Sequence, residues 1–147
     1  MSGEQLAGNR AIVIGGSIAG KLAARVLSDF YEEVIVIEKD PAAEKNSIRN
    51  GVPQGSHGHA LLKSGEELLN ELFPGIVDEL IEDGSVKSDF ASDLAWNHHG
   101  SWKMKYYTGI SIIQQSRPFL EWHIQRRLEL IPNISFLYEA KVQRYES

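Results

Sequence analysis

The residues with the most chemical content lie near the start of the chain: Gly15-Gly16-Ser17-Ile18-Ala19-Gly20, with Glu38 further on. They form a G-x-G-x-x-G pattern with serine at the middle glycine. Gly15 permits a sharp turn out of a strand. Position 17 must be small so that a pyrophosphate can approach the backbone, and Gly20 lets a helix pack closely on a sheet. Phosphates at such a turn meet unpaired N–H groups and the positive end of the helix dipole. An acid ending the next strand, as Glu38 does, can accept both hydroxyls of an adenosine ribose and repels a 2′-phosphate. The same residues also suit a tight turn with no ligand and a merely solvated Glu38, and both readings stand at this point.

Other candidates are weaker. His57-Gly58-His59 has the look of a metal pair, but no third ligand is evident; proton donation and ordering of a loop are the other roles for it. His98 and His99 fall at an expected turn tip, where exposure is the ordinary outcome. Trp96, Trp102 and Tyr106 suit either a substrate cavity or half-buried cross-strand pairs in a hairpin. His123 reads as a structural residue on a helix flank, and Arg126-Arg127 as a solvated helix face.

The elements that must position these residues follow from hydrophobic spacing. Ala11-Ile12-Val13-Ile14 is a continuous apolar run ending at Gly15-Gly16, as in a buried parallel strand. Apolar residues at 19, 22, 23, 26, 27 and 30 predict a helix, and Val34-Ile35-Val36-Ile37 a second buried strand. Together these make a βαβ unit close to the usual ~30 residues. Residues 41–58 read as a polar loop. A helix should follow, with apolar positions 61, 62, 68, 69, 72 and 73. Phe73-Pro74-Gly75 breaks it, and a short helix runs from Ile76 to Glu82. Residues 86–115 have strand character, with a hairpin turning through the four residues Asn97-His98-His99-Gly100. Ser116 caps a third long helix with Pro118 in its first turn and Leu120, Ile124, Leu128 and Ile131 as its buried stripe. Two short strands, 134–138 and 141–145, close the chain. The expected organisation is a flexible lead over 1–10 and one domain over 11–147.

Composition bounds what such a chain does. At 147 residues, 42% hydrophobic and 24% charged, it suits one ordinary globular domain. A net charge of −5 without a long basic run argues against a nucleic-acid surface. The absence of cysteine excludes disulfides, a thiolate nucleophile and a Cys-ligated metal centre. No run approaches the ~18 apolar residues of a membrane span, so a cytoplasmic location is expected.

Three segments in order carry a more specific signal: the glycine turn, then Arg49-Asn50-Gly51-Val52-Pro53-Gln54-Gly55-Ser56-His57-Gly58-His59-Ala60-Leu61-Leu62, then Ser116-Arg117-Pro118-Phe119-Leu120-Glu121. They closely resemble the FAD-dependent aromatic-hydroxylase-like monooxygenases, within them the branch of the polyether epoxidases, over about residues 10–145. The resemblance implies an α/β, Rossmann-like FAD-binding unit with added helices and a β-hairpin. It implies FAD as cofactor, NAD(P)H as electron donor and delivery of one oxygen atom to a small molecule. Gly15, Gly16, Ser17, Ile18, Ala19 and Gly20 would then hold the pyrophosphate, with Glu38 and the adjoining Lys39 at the adenosine ribose. Arg49 and Gln54 would run along the flavin side, Arg117 would contact phosphate or ribityl oxygens, and Val142 would meet the adenine edge. No catalytic side chain is implied, because the flavin carries the oxygen chemistry. Lys21 stands where the family has an apolar residue, so it either assists the pyrophosphate or snorkels to solvent. Such an enzyme is more than about twice this length, so the chain reads as its front part, expected to be inactive alone, with the C-terminal part of the cradle missing. Self-association through residues 96–113 or an open sheet edge is then expected. A non-catalytic dinucleotide module completed by a partner chain is the alternative; an NAD-dependent dehydrogenase is disfavoured by Ser17 and residues 49–62.

Overall fold

The computed structural model describes residues 6–42 and 58–144. The elements in chain order are β1 (Gly8–Ile14), α1 (Ile18–Leu27), β2 (Tyr31–Ile37), β3 (Gly58–Leu61), α2 (Lys63–Leu72), α3 (Ile76–Glu82), β4 (Val86–Asp89), β5 (Asn97–His98), β6 (Ser101–Trp102), β7 (Ser111–Ser116), α4 (Arg117–Glu129) and β8 (Ile134–Leu137). They divide into two compact units, residues 1–55 with 118–147 and residues 56–117, where the sequence suggests one domain. The fold is α/β, as expected, and its parallel part is built on the anticipated βαβ unit.

In the first unit a parallel sheet has the order β1-β2-β8. Val13 pairs with Val36, and Val34 with Ile134, so one face of the sheet gathers β-branched residues. Val34 and Val36 on the middle strand are fully buried. Helix α1 covers this face, since a methyl group on Gly20 would reach Val13. The opposite face carries Ile12 and Ile14, which are 56% and 65% exposed, and Leu137. Asn133 ties two turns together, donating through its side chain to the carbonyls of Ser28 and Tyr31 at 2.8 and 3.0 Å.

Several expectations need correction here. Strand β1 begins at Gly8, inside the supposed lead, where Ala7 N–H already donates to Phe30 O. Helix α1 stops at Leu27, leaving Phe30 outside its stripe and exposed. Lys21 does not snorkel: it is 1% exposed, and its ammonium donates to the Glu121 carbonyl at 3.2 Å. Leu120, Ile124 and Leu128 form the buried stripe of α4, but Glu121, His123 and Gln125 are buried too, so this helix is enclosed on more than one side. Ile131 lies past its end. The segment 141–144 is not a strand, because no ladder reaches it.

The second unit is an antiparallel sheet, β3-β7-β4, with α2 packed on β7 and α3 against α2. Ile112 and Ile113 of β7, Leu69, Phe73, Ile76 and Leu80 supply its core. Leu61 belongs to β3, a strand absent from the sequence reading, so the apolar positions once given to one helix are shared between strand and helix. The break at Phe73-Pro74-Gly75 is as expected: Gly75 has φ +83°, and its N–H donates to the Asn70 side chain. The hairpin turn has two residues, not four. Asn97 pairs with Trp102 and His98 with Ser101. His99 (φ 52°) and Gly100 (φ 80°) occupy the left-handed region that a tight primed turn requires. Trp96, Trp102 and Tyr106 are exposed rather than half-buried pairs.

Candidate functional site: the cleft at the glycine turn

The strongest site is built where β1 gives way to α1. Gly15 leaves the strand with φ +100°, a conformation costly for any side chain, and its N–H donates to Ile37 O of the neighbouring strand at 2.8 Å. A Cβ on Gly20 would collide with the Gly15 carbonyl oxygen. Glycine is thus required at both ends of the turn, for two different reasons. Ser17 takes the extended N-cap conformation, and its side chain makes no capping hydrogen bond. The first-turn N–H groups of a helix have no intrahelical acceptor, and the Ser17 side chain caps none of them.

Glu38 lies at the end of β2 and is 5% exposed. Its Oε2 accepts the Gly16 N–H at 2.6 Å, and its Oε1 accepts the Asp40 N–H at 2.9 Å. The carboxylate is therefore an organising part of the turn, not a solvated side chain. These two bonds fix the direction in which the carboxylate faces. After β8 the chain comes alongside: Ala140 N–H donates to Glu38 O at 3.0 Å, following Glu139, which has φ +55°.

The result is a cleft of about 380 Å³ that brings together Gly15, Ser17, Glu38, Lys39 and Val142 from the sequence-derived set. Gly16 donates to Glu38 and Ile18, Ala19 and Gly20 shape the helix, but none of these four lines the cleft. Sequence reasoning missed Ile14, Ile37, Asp40, Ala140 and Lys141 on its wall. All but Ala140 adjoin named residues. Nothing in the Glu139-Ala140 dipeptide signals a turn back to Glu38, because no glycine or asparagine marks the positive φ. Arg117 is half-buried at the first position of α4 and belongs to the second unit. Arg49, Gln54 and His57 lie outside the described residues.

In the second unit, Asp89 gathers a different cluster. Its carboxylate accepts from the N–H groups of Ala91, Ser92, Thr108 and Gly109 and from the Thr108 hydroxyl, at 2.8–3.3 Å. Burial opposes ionisation, but the hydrogen bonds from Ser92, Ala91 and Thr108 outweigh it and hold the carboxyl well below the usual range. Among the described residues no three His, Asp or Glu side chains are grouped to hold a metal ion.

No family model matches the chain. It is 36% identical over 135 residues to Protein Rv3254 of Mycobacterium tuberculosis (strain ATCC 25618 / H37Rv), a match covering 88% of this chain and 28% of that protein. Among solved structures it is similar to p-nitrophenol 4-monooxygenase PnpA from Pseudomonas putida DLL-E4, with a TM-score of 0.68 and 18% identity over 98% of this chain and 35% of that one. It is also similar to pqsL, a probable FAD-dependent monooxygenase from Pseudomonas aeruginosa, with a TM-score of 0.66 and 17% identity over 95% of this chain and 36% of that one. The tetrameric form of 2-methyl-3-hydroxypyridine-5-carboxylic acid oxygenase gives a TM-score of 0.64 and 22% identity over 88% of this chain and 32% of that one. The chain has the fold of the N-terminal, dinucleotide-binding portion of such flavin monooxygenases. It spans about a third of the length of these relatives. No helix among the described residues is long and apolar enough to cross a membrane.

Proposed function

We propose that this chain is the FAD-binding front portion of a flavoprotein monooxygenase, an NAD(P)H- and O2-dependent oxidoreductase acting in the cytoplasm on a hydrophobic small molecule. The cleft at the glycine turn carries the reading. Gly15 of the turn, Ser17 at the head of α1 and the buried acid Glu38 line one cleft, and a glycine turn, a helix end and an acid are what an adenine dinucleotide needs. The motifs at residues 49–62 and 116–121 select flavin over nicotinamide and favour the polyether-epoxidase branch.

When bound, FAD supplies electron transfer from NAD(P)H and delivery of one oxygen atom from O2. The chain's own residues bind and orient. The first turn of α1 receives the pyrophosphate, with Ser17 small enough to allow its approach. Glu38, fixed by Gly16 and Asp40, accepts the ribose hydroxyls, and Val142 flanks the adenine. Arg117 offers a planar, bidentate donor to phosphate or ribityl oxygens. Arg49 and Gln54 contribute from the loop ahead of β3. Turnover needs the remainder of the cradle, supplied by further chain.

The open Ile12, Ile14 and Leu137 face favours a second reading, a dinucleotide-binding module completed by a partner or by self-association, since a parallel sheet is ordinarily covered on both faces. The deciding experiment is titration of the purified chain with FAD, followed by flavin fluorescence, beside an NAD control. Saturable FAD binding without NAD binding supports the flavoprotein reading. Binding of NAD alone overturns it, and binding of neither favours the partner-dependent module. Light scattering at rising concentration tests self-association, which a clean monomer would refute.

A further inference from the structure

The charge pattern at the helix starts sorts the helices into two kinds. α2 carries Glu66 in its first turn, and α3 carries Asp78 and Glu79. Acids there offset the positive pole of the helix dipole, which is the ordinary way to stabilise a helix start. α1 and α4 have no acid in the first turn. These are the two helices whose first turns the cofactor reading gives to the oxygens of FAD.

α1 goes further and adds a cation. Lys21 follows its first turn directly, and its N–H donates to Ser17 O at 2.9 Å. The residue is buried, and its ammonium donates to the Glu121 carbonyl oxygen of α4 at 3.2 Å. Cα–Cβ bonds in a helix tilt toward its N-terminus, so the stem of Lys21 sets out toward the start of α1. A buried cation beside the positive pole of a dipole is unfavourable twice over, since it loses hydration and is repelled. The family's apolar residue at this position would carry neither cost. An anion at the helix start replaces that repulsion with attraction, and salt screens a buried charge little.

We infer that Lys21 sets the preference of the glycine-turn cleft for a diphosphate over a single phosphate or a bare nucleoside. The inference rests on the adenine-dinucleotide reading of that cleft and adds to it a residue outside the glycine pattern. Lys21 acts on the phosphates through its charge, and the bond to Glu121 holds the ammonium in place.

The test compares ADP, AMP and adenosine on the purified chain, with affinities read by nuclear magnetic resonance from the Gly16 and Ser17 amides. The ratio of ADP to adenosine affinity decides it, because both probes need the same folded cleft and partial unfolding cancels. In Lys21→Met this ratio should fall about tenfold and the ratio of ADP to AMP about threefold, while adenosine keeps its affinity. Lys21→Gln retains a donor for the Glu121 carbonyl without the charge, and its ratio should fall as far. An unmoved ratio in Lys21→Met would overturn the inference, as would equal losses of ADP and adenosine. A wild-type ratio in Lys21→Gln would also overturn it, leaving the residue as a hydrogen-bonded tie between α1 and α4. Failure of the wild-type chain to bind ADP at millimolar concentration would instead overturn the cofactor reading, and the inference would fall with it.

Discussion

The two units fix their geometry by opposite means. At the cleft of the first unit, what matters is atoms left out: Gly15 and Gly20 have no Cβ where one would be strained or would collide. In the second, one carboxylate draws together amides that the chain alone would leave apart, with Asp89 and Gly109 separated by 20 positions. Steric exclusion acts between near neighbours and tolerates no substitute. A hydrogen-bonded hub acts over distance and weakens with protonation.

The sharpest way to break that contrast is Gly20→Ala. The added methyl meets backbone, which cannot move aside as a side chain can, so α1 must shift from β1. Destabilisation of about 1–3 kcal/mol in urea unfolding is expected, with loss of ADP binding in calorimetry. A stable variant with unchanged binding would mean the turn tolerates a side chain.

Asp89→Asn should loosen the second unit and leave ADP binding untouched, as read by amide exchange at Thr108 and Gly109. The pH dependence has a definite sign. The folded carboxyl titrates below its ordinary value of 3.8, so its stabilisation is full above that value and is lost as pH falls further. Urea midpoints should therefore drop below about pH 4, and less steeply in the variant. Some slope will remain from Glu66: burial works against its ionisation, but hydrogen bonds from Ser111 and Lys63 lower its pKa.

Binding variants divide the proposed cofactor by its parts. Glu38→Ala should weaken ADP and FAD alike, by about tenfold for two lost hydroxyl contacts. Arg117→Ala should weaken FAD and spare ADP, and equal losses would place its guanidinium at the adenosine end. The smallest effect is expected for Glu33→Gln, which breaks the exposed ion pair with Arg10 and should change stability by under about 1 kcal/mol.

The same contrast explains how much was legible beforehand. The βαβ unit and its glycine turn could be read because their rules are local: continuous apolar runs, helical spacing and glycines where geometry forbids a side chain. The break before α3 was equally plain. What escaped depended on distant partners. Strand β3 is four residues whose ladder is supplied by β7. Lys21 looked like a surface lysine because its acceptor, the Glu121 carbonyl, is 100 residues away. The hairpin was found but its turn was set too long, since His99 enters the left-handed region without being glycine or asparagine. At the cleft, the glycines and Glu38 were visible, whereas Ala140 and Lys141 were not, because Glu139 turns the chain by tertiary contact.

The strand order of the parallel sheet also governs how the molecule is made. β2 sits in the middle, yet its partner on one side is β8, with Val34 opposite Ile134. On a ribosome adding roughly 5–20 residues per second, that partner emerges several seconds after β2. During the interval β1, α1 and β2 form a βαβ nucleus with one ladder unmade and Val34 and Val36 beside an open edge. The first unit cannot close until β8 has been synthesised, whereas residues 56–117 are contiguous and can fold as they appear.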